Sequence, residues 1–312
     1  MALMSIIWLN LSGVAAMSSD HFIDLSGSGG PSIFAKRLSF GLIESGCHFN
    51  PSSTNRISII EGQRADGANN ILRLDGLYFH KNDPRNSNIF SCYDSFDHIV
   101  FQGEFCRDQY EAFTETKRQH TIIRNGAPKE FFKRCEQRAS SRKRIVASAS
   151  WRRHKRLEET VEAFKDSRLE NVDLFVLGGA NYWNKSFPKN VHMLPQMNYS
   201  RLYEFLRDFD AMVHLSWLDW CPNSVVEGLA SGLPVLCSHN GGTKELVKDN
   251  GVIIQLEEDY IPGTELDLYS PPKVNIDTIV DGILEVLEVE SGFIREDLKI
   301  ENVAQKYLKL FN

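Results

Sequence analysis

Four cationic groups crowd the turn 151-WRRHKR-156, and a carboxylate, Glu227, follows in a second turn that leads into a helix. Arginine offers paired donors to phosphate oxygens and lysine a compact charge, so the turn has the chemistry of a local anion site. A turn spreads its side chains, and Arg152 and Lys155, three positions apart, are the pair expected to converge. The plainer alternative is a basic turn left in solvent. Glu227 falls in the first turn of its helix, within reach of anything bound at that edge. Three further candidates lie in the first half. Gly29 and Gly30, in 26-SGSGGPS-32, would let backbone N–H groups approach an anion or a sugar. Arg73 and Asp75 alternate with Leu72 and Leu74, so both project from one face of a strand end, to bind hydroxyls or to pair with each other. His80 stands in the polar loop beyond, where a lone histidine is usually just solvated.

These residues need elements to hold them. The run 210-DAMVHLS-216 reads as a strand, and Asp219, Trp220, Cys221 and Pro222 turn the chain. Asn223 or Ser224 is placed to cap a short helix with Val225, Val226, Leu229 and Ala230 as its buried stripe, and Gly232 ends it. A second strand, 233-LPVLCS-238, and the turn 239-HNGGT-243 complete a βαβα unit. Both loops then lie at the carboxyl ends of parallel strands, where open α/β sheets bind ligands. Upstream, 144-RIVASAS-150 and 172-VDLFVLGG-179 read as strands, with a helix at 157–167 between them; Gly178 and Gly179 allow close approach. The helix 199–209 and the short strand and loop at 190–197 fill out a doubly wound domain complete by about residue 256.

The first half carries short apolar runs at 56–60, 70–79, 97–102 and 120–126, with a helix at 104–116 before the last. A helix follows the glycine loop at 33–46, with apolar positions 33, 34, 38, 42 and 43. The segment 4-MSIIWLNL-11 is assigned as the first strand rather than as a signal peptide, because no Lys or Arg opens it and a glycine loop and helix follow. The polar, basic stretch 133-KRCEQRASSRKR-144 marks the boundary between domains 1–138 and 139–297, with a terminal helix at about 298–312 free to pack back on the first. Helices at 276–288 and 298–311 carry apolar stripes that read as packing faces.

Composition sets outer bounds. A 312-residue chain with 42% hydrophobic and 24% charged residues is an ordinary soluble composition for about two domains. A net charge of −6 argues against bulk binding to nucleic acid or anionic lipid. The six cysteines form no CxxC pair or zinc-like cluster, and no run approaches a membrane span, so a cytoplasmic protein with no membrane association is expected.

Four segments in order, 27-GSGGPSIFAKRL-38, 124-RNGAP-128, WRRHKR and 219-DWCPNSVVEGLASGLPVLCSHNGGTKEL-246, resemble the retaining glycosyltransferases of family 4. The resemblance spans nearly the whole chain. It implies the GT-B architecture, two Rossmann-like α/β domains facing across a cleft, the first binding the acceptor and the second a nucleotide-sugar donor. By matched position, Glu227 would accept both ribose hydroxyls, as suits an acceptor-only carboxylate. Asp219 would be the acid facing the transferred sugar, one methylene shorter than the family's usual Glu. Arg152 and Lys155 would hold the diphosphate and neutralise the leaving group without a metal or other cofactor, with Arg153 or Arg156 as stand-ins. Cys221, Pro222, Asn223 and Ser224 would offer backbone N–H groups, and Gly178, Gln196 and Met197 would wall the base. The implied reaction moves a hexose, with retention, to a glycan, lipid or protein-linked acceptor; family frequency favours GDP-mannose over UDP-glucose and UDP-N-acetylglucosamine. A monomer or homodimer is expected.

Other classes fit less well. A nicotinamide-dependent oxidoreductase predicts a clean GxGxxG with an acid some twenty residues on, and Gly27-x-Gly29-x-x-Ser32 lacks it. A glycoside hydrolase needs two carboxylates straddling a bond, whereas Asp219 and Glu227 lie on one wall. A non-catalytic nucleotide-sugar-binding protein would show much the same residues.

Overall fold

The computed structural model describes residues 19–132, 141–179 and 186–311. The expected strand 4–11 and the segment 133–140 of the expected boundary lie outside them. The strand that feeds the glycine loop is instead β1 (Asp20–Ile23), which buries His21 and Ile23. A four-residue strand with a histidine on its buried face alternates too weakly for sequence to flag it.

Helix α1 (Gly29–Glu44) opens with Gly29 at φ +77°, carries Pro31 in its first turn and gives way to Gly46 at φ +87°. Phe34, Leu38 and Leu42 form its buried ridge. Ile33 and Ile43, also expected inside, are 43% and 48% exposed. At about 100° per residue both fall on the far side of that ridge, and Arg37 and Ser39 are buried instead.

The chain continues through β2 (His48–Phe49), β3 (Asn55–Ile59), β4 (Asn69–Leu74), α2 (Pro84–Ser95), β5 (His98–Phe101), α3 (Glu104–Thr114) and β6 (His120–Ile122). Helix α2 was legible but not expected: Asp83 accepts from the Arg85 N–H as N-cap and Pro84 sits at the first helical position. The six strands form one parallel sheet in the order β2-β1-β3-β4-β5-β6.

The second half runs β7 (Lys143–Ser148), α4 (Leu157–Ala163), β8 (Val172–Leu177), β9 (Val191–Leu194), α5 (Tyr199–Leu206), β10 (Ala211–His214), α6 (Asn223–Ala230), β11 (Val235–Ser238), α7 (Thr243–Val247), β12 (Gly251–Ile254), α8 (Ile276–Glu288) and α9 (Ile300–Leu308). Its strands form a second parallel sheet, ordered β12-β11-β10-β7-β8-β9. That order reverses between β7 and β10, which makes the gap between their loops the natural ligand crevice. Helix α9 leaves the second sheet's unit and joins the first: Ile300, Val303, Ala304 and Tyr307 share a core with Phe34, Leu38 and Leu42. The molecule is therefore an α/β protein with two doubly wound sheets, each with its own core.

Candidate active site

The loops after β7 and β10 meet at the reversal point. The Trp217 N–H donates to the His154 carbonyl at 2.7 Å, and the Trp151 indole donates to Leu177 O at 2.8 Å. Residues 153–155 form one turn of 3-10 helix, and Arg156 leaves it in the left-handed region at φ 55°. Arg156 is fully buried against Glu257 at 2.8 Å. That corrects its expected role as a stand-in phosphate ligand: its charge is spent inside the fold. Arg152 and Arg153 are exposed, the latter 4.0 Å from Glu158.

Lys155 turns inward and ion-pairs with Asp219 Oδ2. His214, the last residue of β10, meets the same oxygen through Nε2 at 3.0 Å, while Oδ1 accepts from the Trp220 N–H at 2.9 Å. Burial opposes ionisation of Asp219, but Lys155 and His214 outweigh it and hold the carboxyl well below its usual range. Burial lowers both nearby histidines, His154 to about 4 and His214 in the same direction. Leu218 sits at φ 56° on the approach to this cluster, a strained position for a residue with a side chain.

The glycines flanking the site have structural reasons to be glycines. A Cβ on Gly242 would lie 2.0 Å from Trp220 O, and one on Gly241, at φ +81°, 2.8 Å from Asp219 O. The pair 241–242 thus presses directly on the Asp219 loop, and the Gly242 N–H donates to Asp219 O at 2.7 Å. At Gly178, φ +99°, a Cβ would fall 2.1 Å from Ala149 O. What approaches Gly178 closely is the backbone after β7.

Helix α6 starts from Pro222, and no side chain caps it, contrary to the expectation for Asn223 or Ser224. Asn223 bridges outward: its Nδ2 donates to Gly30 O at 3.1 Å and its Oδ1 accepts from Asn125 at 3.0 Å. Asn125 also donates to Cys221 O at 2.8 Å. Cys221 is buried, its thiol pushed up to about 11 by that burial. Ser224 is partly exposed, as is Met197; Gln196 is exposed.

Glu227 lies under this bridge, 7% exposed, paired with Arg37 of α1. Arg37 also reaches Gly126 O at 3.3 Å and lies over the Tyr199 ring at 4.9 Å. Arg37 was missing from the sequence expectations: an arginine one step off the apolar ridge looks like a solvated charge, and only the opposing unit makes it a partner. Arg73 and Asp75 pair with each other, one of the two alternatives left open for them. Arg73 is wholly buried, bonded to Asn125 and to Gln102 at 3.2 Å, with its guanidinium 3.9 Å from the Phe34 ring centroid. It braces the loop 124–126 and is not exposed to an acceptor. His80 is 55% exposed and 3.8 Å from Glu265, away from this centre. Gly29 and Gly30 are exposed, with Gly30 held by Asn223.

The first unit therefore lies directly on the site. Trp220 stacks on Phe79 at 5.2 Å and packs on Phe105 at 5.0 Å, beside Gly76, where a Cβ would fall 2.4 Å from the indole. Cavities of about 650 and 290 Å³ lie elsewhere, the first lined by Glu158, Val161, Phe187 and Ile276, the second by Thr54, Gly67 and Asp97. Among the described residues no trio of His, Cys, Asp or Glu is set to hold a metal ion, and no helix is long and apolar enough to cross a membrane.

Comparison with known proteins agrees with this geometry. The family model described as "Glycosyl transferases group 1" matches residues 128–303, more than half of the chain. No curated protein matches its sequence. Among solved structures, it is similar to a glycosyltransferase from Rickettsia africae, with a TM-score of 0.62 and 11% identity over 95% of each chain. It is also similar to HepE of Anabaena in complex with UDP-glucose, with a TM-score of 0.58 and 11% identity over 93% of this chain and 98% of that one. Against the GtfA/B complex the TM-score is 0.54 at 12% identity, over 82% of this chain but only 53% of that one. At such identities the likeness is one of fold.

Proposed function

This chain belongs to the glycosyl transferases of group 1, and on that premise we propose that it moves a hexose from a nucleotide-sugar donor to a glycan, lipid or protein-linked acceptor, with retention at the anomeric carbon, in the manner of family 4. The observation that carries the proposal is the Lys155–Asp219 pair at the β7/β10 reversal, with exposed Arg152 in the same turn as Lys155 and α6 beginning four residues after Asp219. A diphosphate there meets two cations and a helix N-terminus, and a sugar on it lies beside Asp219.

In this reading Arg152 and Lys155 stabilise the charge that develops as the nucleoside diphosphate departs, without a metal. The backbone at 221–224 holds phosphate or sugar oxygens. The departing phosphate takes the proton from the acceptor hydroxyl on the face where the new bond forms, which retains the configuration. Glu227 accepts the ribose hydroxyls. Arg37 occupies Oε1, and a carboxylate offers about four lone-pair sites, so Oε2 serves a second donor. Donor binding falls to residues 139–297 and acceptor binding to 1–138, in a cytoplasmic monomer or homodimer.

GDP-mannose is the first donor proposed; the UDP-glucose held by HepE favours a uridine sugar as the second. Incubation with GDP-mannose, UDP-glucose and UDP-N-acetylglucosamine, with and without sugar acceptors, should give transfer or slow donor hydrolysis. Tight donor binding with neither would overturn the transfer reading. Calorimetry that finds only uridine nucleotides bound would replace the first donor by the second.

A further inference from the structure

Asp219 holds two partners on a single oxygen. Lys155 pairs with Oδ2, and His214 Nε2 lies 3.0 Å from it. A carboxylate only accepts, so Nε2 carries a hydrogen and, in the neutral ring, the other nitrogen is free of one. The Asp219 and Lys155 side chains are 14% and 16% exposed, and that of His214 4%. The charged and titratable groups that act on this histidine and carboxylate are Lys155 and His154, and Arg152 acts on His154.

The proposed function asks Lys155 to serve the donor diphosphate as well. Lys155 has one ammonium group, and a diphosphate competes with Asp219 for it. A carboxylate this deeply placed that loses its cation is costly, because water cannot replace the lost charge. The same displacement removes the nearest positive charge from His214 and brings phosphate anions closer. Both changes favour a charged imidazole.

We propose that His214 is a positioning residue that takes up a proton when the donor binds, replacing Lys155 as the cation that holds Asp219 beside the transferred sugar. The proton comes from solvent and goes to the ring nitrogen opposite Nε2, while Nε2–H keeps its bond to Asp219. His154 is the nearest competitor. It faces Tyr269, with ring centroids 5.4 Å apart, and has no direct bond to Asp219. Asp219 thus keeps one orientation through the exchange of its cation.

The inference rests on the donor-site reading above, and one experiment separates the two. Nucleotide sugars carry no phosphate that titrates near neutral pH, so any proton taken up on binding belongs to the protein. GDP-mannose and UDP-glucose are titrated into the protein by calorimetry near neutral pH, in phosphate and in Tris, whose ionisation enthalpies differ. The expected result is net uptake of up to about one proton per donor bound. Uptake should vanish in His214→Gln, whose amide N–H reaches the position of Nε2 toward Asp219, and persist in His154→Asn. In Lys155→Met the uptake should also fall, because the cation is already absent and His214 is charged before the donor arrives. Binding without proton uptake overturns the inference and leaves the donor site standing, as does full uptake in folded His214→Gln. If neither nucleotide sugar binds, the donor-site reading fails and the inference goes with it.

Discussion

At the scale of the residue, the two acids of the site are already committed within the fold. Glu227 and Arg37 come from opposite units and are both nearly closed to solvent. Removing one partner of such a pair leaves the other as an uncompensated buried charge. Glu227→Ala should therefore lower stability by about 3–5 kcal/mol in urea unfolding, and also weaken donor binding in calorimetry. The exposed control Lys306→Ala should do neither. A folded Glu227→Ala protein with unchanged donor affinity would refute the ribose assignment. Arg73 teaches the complementary lesson. Its alternation with Asp75 was legible and its pairing was one of the stated options, yet its complete burial against Phe34, Gln102 and Asn125 was not. Alternation fixes which face a side chain takes, not what covers that face.

At the scale of the element, α7 ties the second sheet's unit to α3 of the first. Glu245 accepts from the N–H groups of Glu104 and Phe105 at 2.7 and 2.6 Å, capping α3 from across the cleft. Burial first, and then the hydrogen bond to Glu104, push Glu245 up to about 7, while that hydrogen bond, with help from Arg124, draws Glu104 down to about 2. The two carboxyls hold one proton between them. The unfolded chain releases that proton near the ordinary carboxylate value, 4.5, whereas the folded chain keeps it until about 7. Folding thus binds the extra proton in this window, and stability falls as pH rises through it. Glu245→Gln should abolish that loss, on the order of 3 kcal/mol, when urea midpoints are compared from acid to neutral pH. Parallel curves for the two proteins would remove the shared proton. The GG-x-x-E pattern was visible in sequence as part of a loop and helix. That its glycines press on the Asp219 loop, and that its acid caps a helix of the other unit, required the two sheets to be brought together.

At the scale of the whole molecule, the chain crosses between its units and then returns. Ile300 N and Ala127 N exchange backbone hydrogen bonds with Ala127 O and Leu298 O, at 3.0 and 2.8 Å, next to the loop that Arg73 braces. Tyr307 closes the first core, its ring 6.4 Å from Phe34. Tyr307→Ala should cost about 3–5 kcal/mol by opening a cavity in that core. Thermal unfolding should show the loss. A loss below about 1 kcal/mol would mean that α9 contributes little to the first unit.

The sequence by itself determined the α/β class, most strands and helices, and the two turns that carry Lys155 and Asp219. Local chemistry sets these: apolar periodicity, glycine at left-handed positions, and charges at strand ends. The weak signals it passed over were β1, too short to alternate, and α2, marked only by Asp83-Pro84. What the tertiary structure decided was partnership. Arg37 on Glu227, Lys155 on Asp219, Glu257 on Arg156 and Trp220 on Phe79 join residues far apart in the chain. Nothing in the spacing of a single segment encodes which buried charge a distant one will meet. Folding of each unit and docking of the two through their helices and loops settles it, because a charge that loses water must find its opposite nearby.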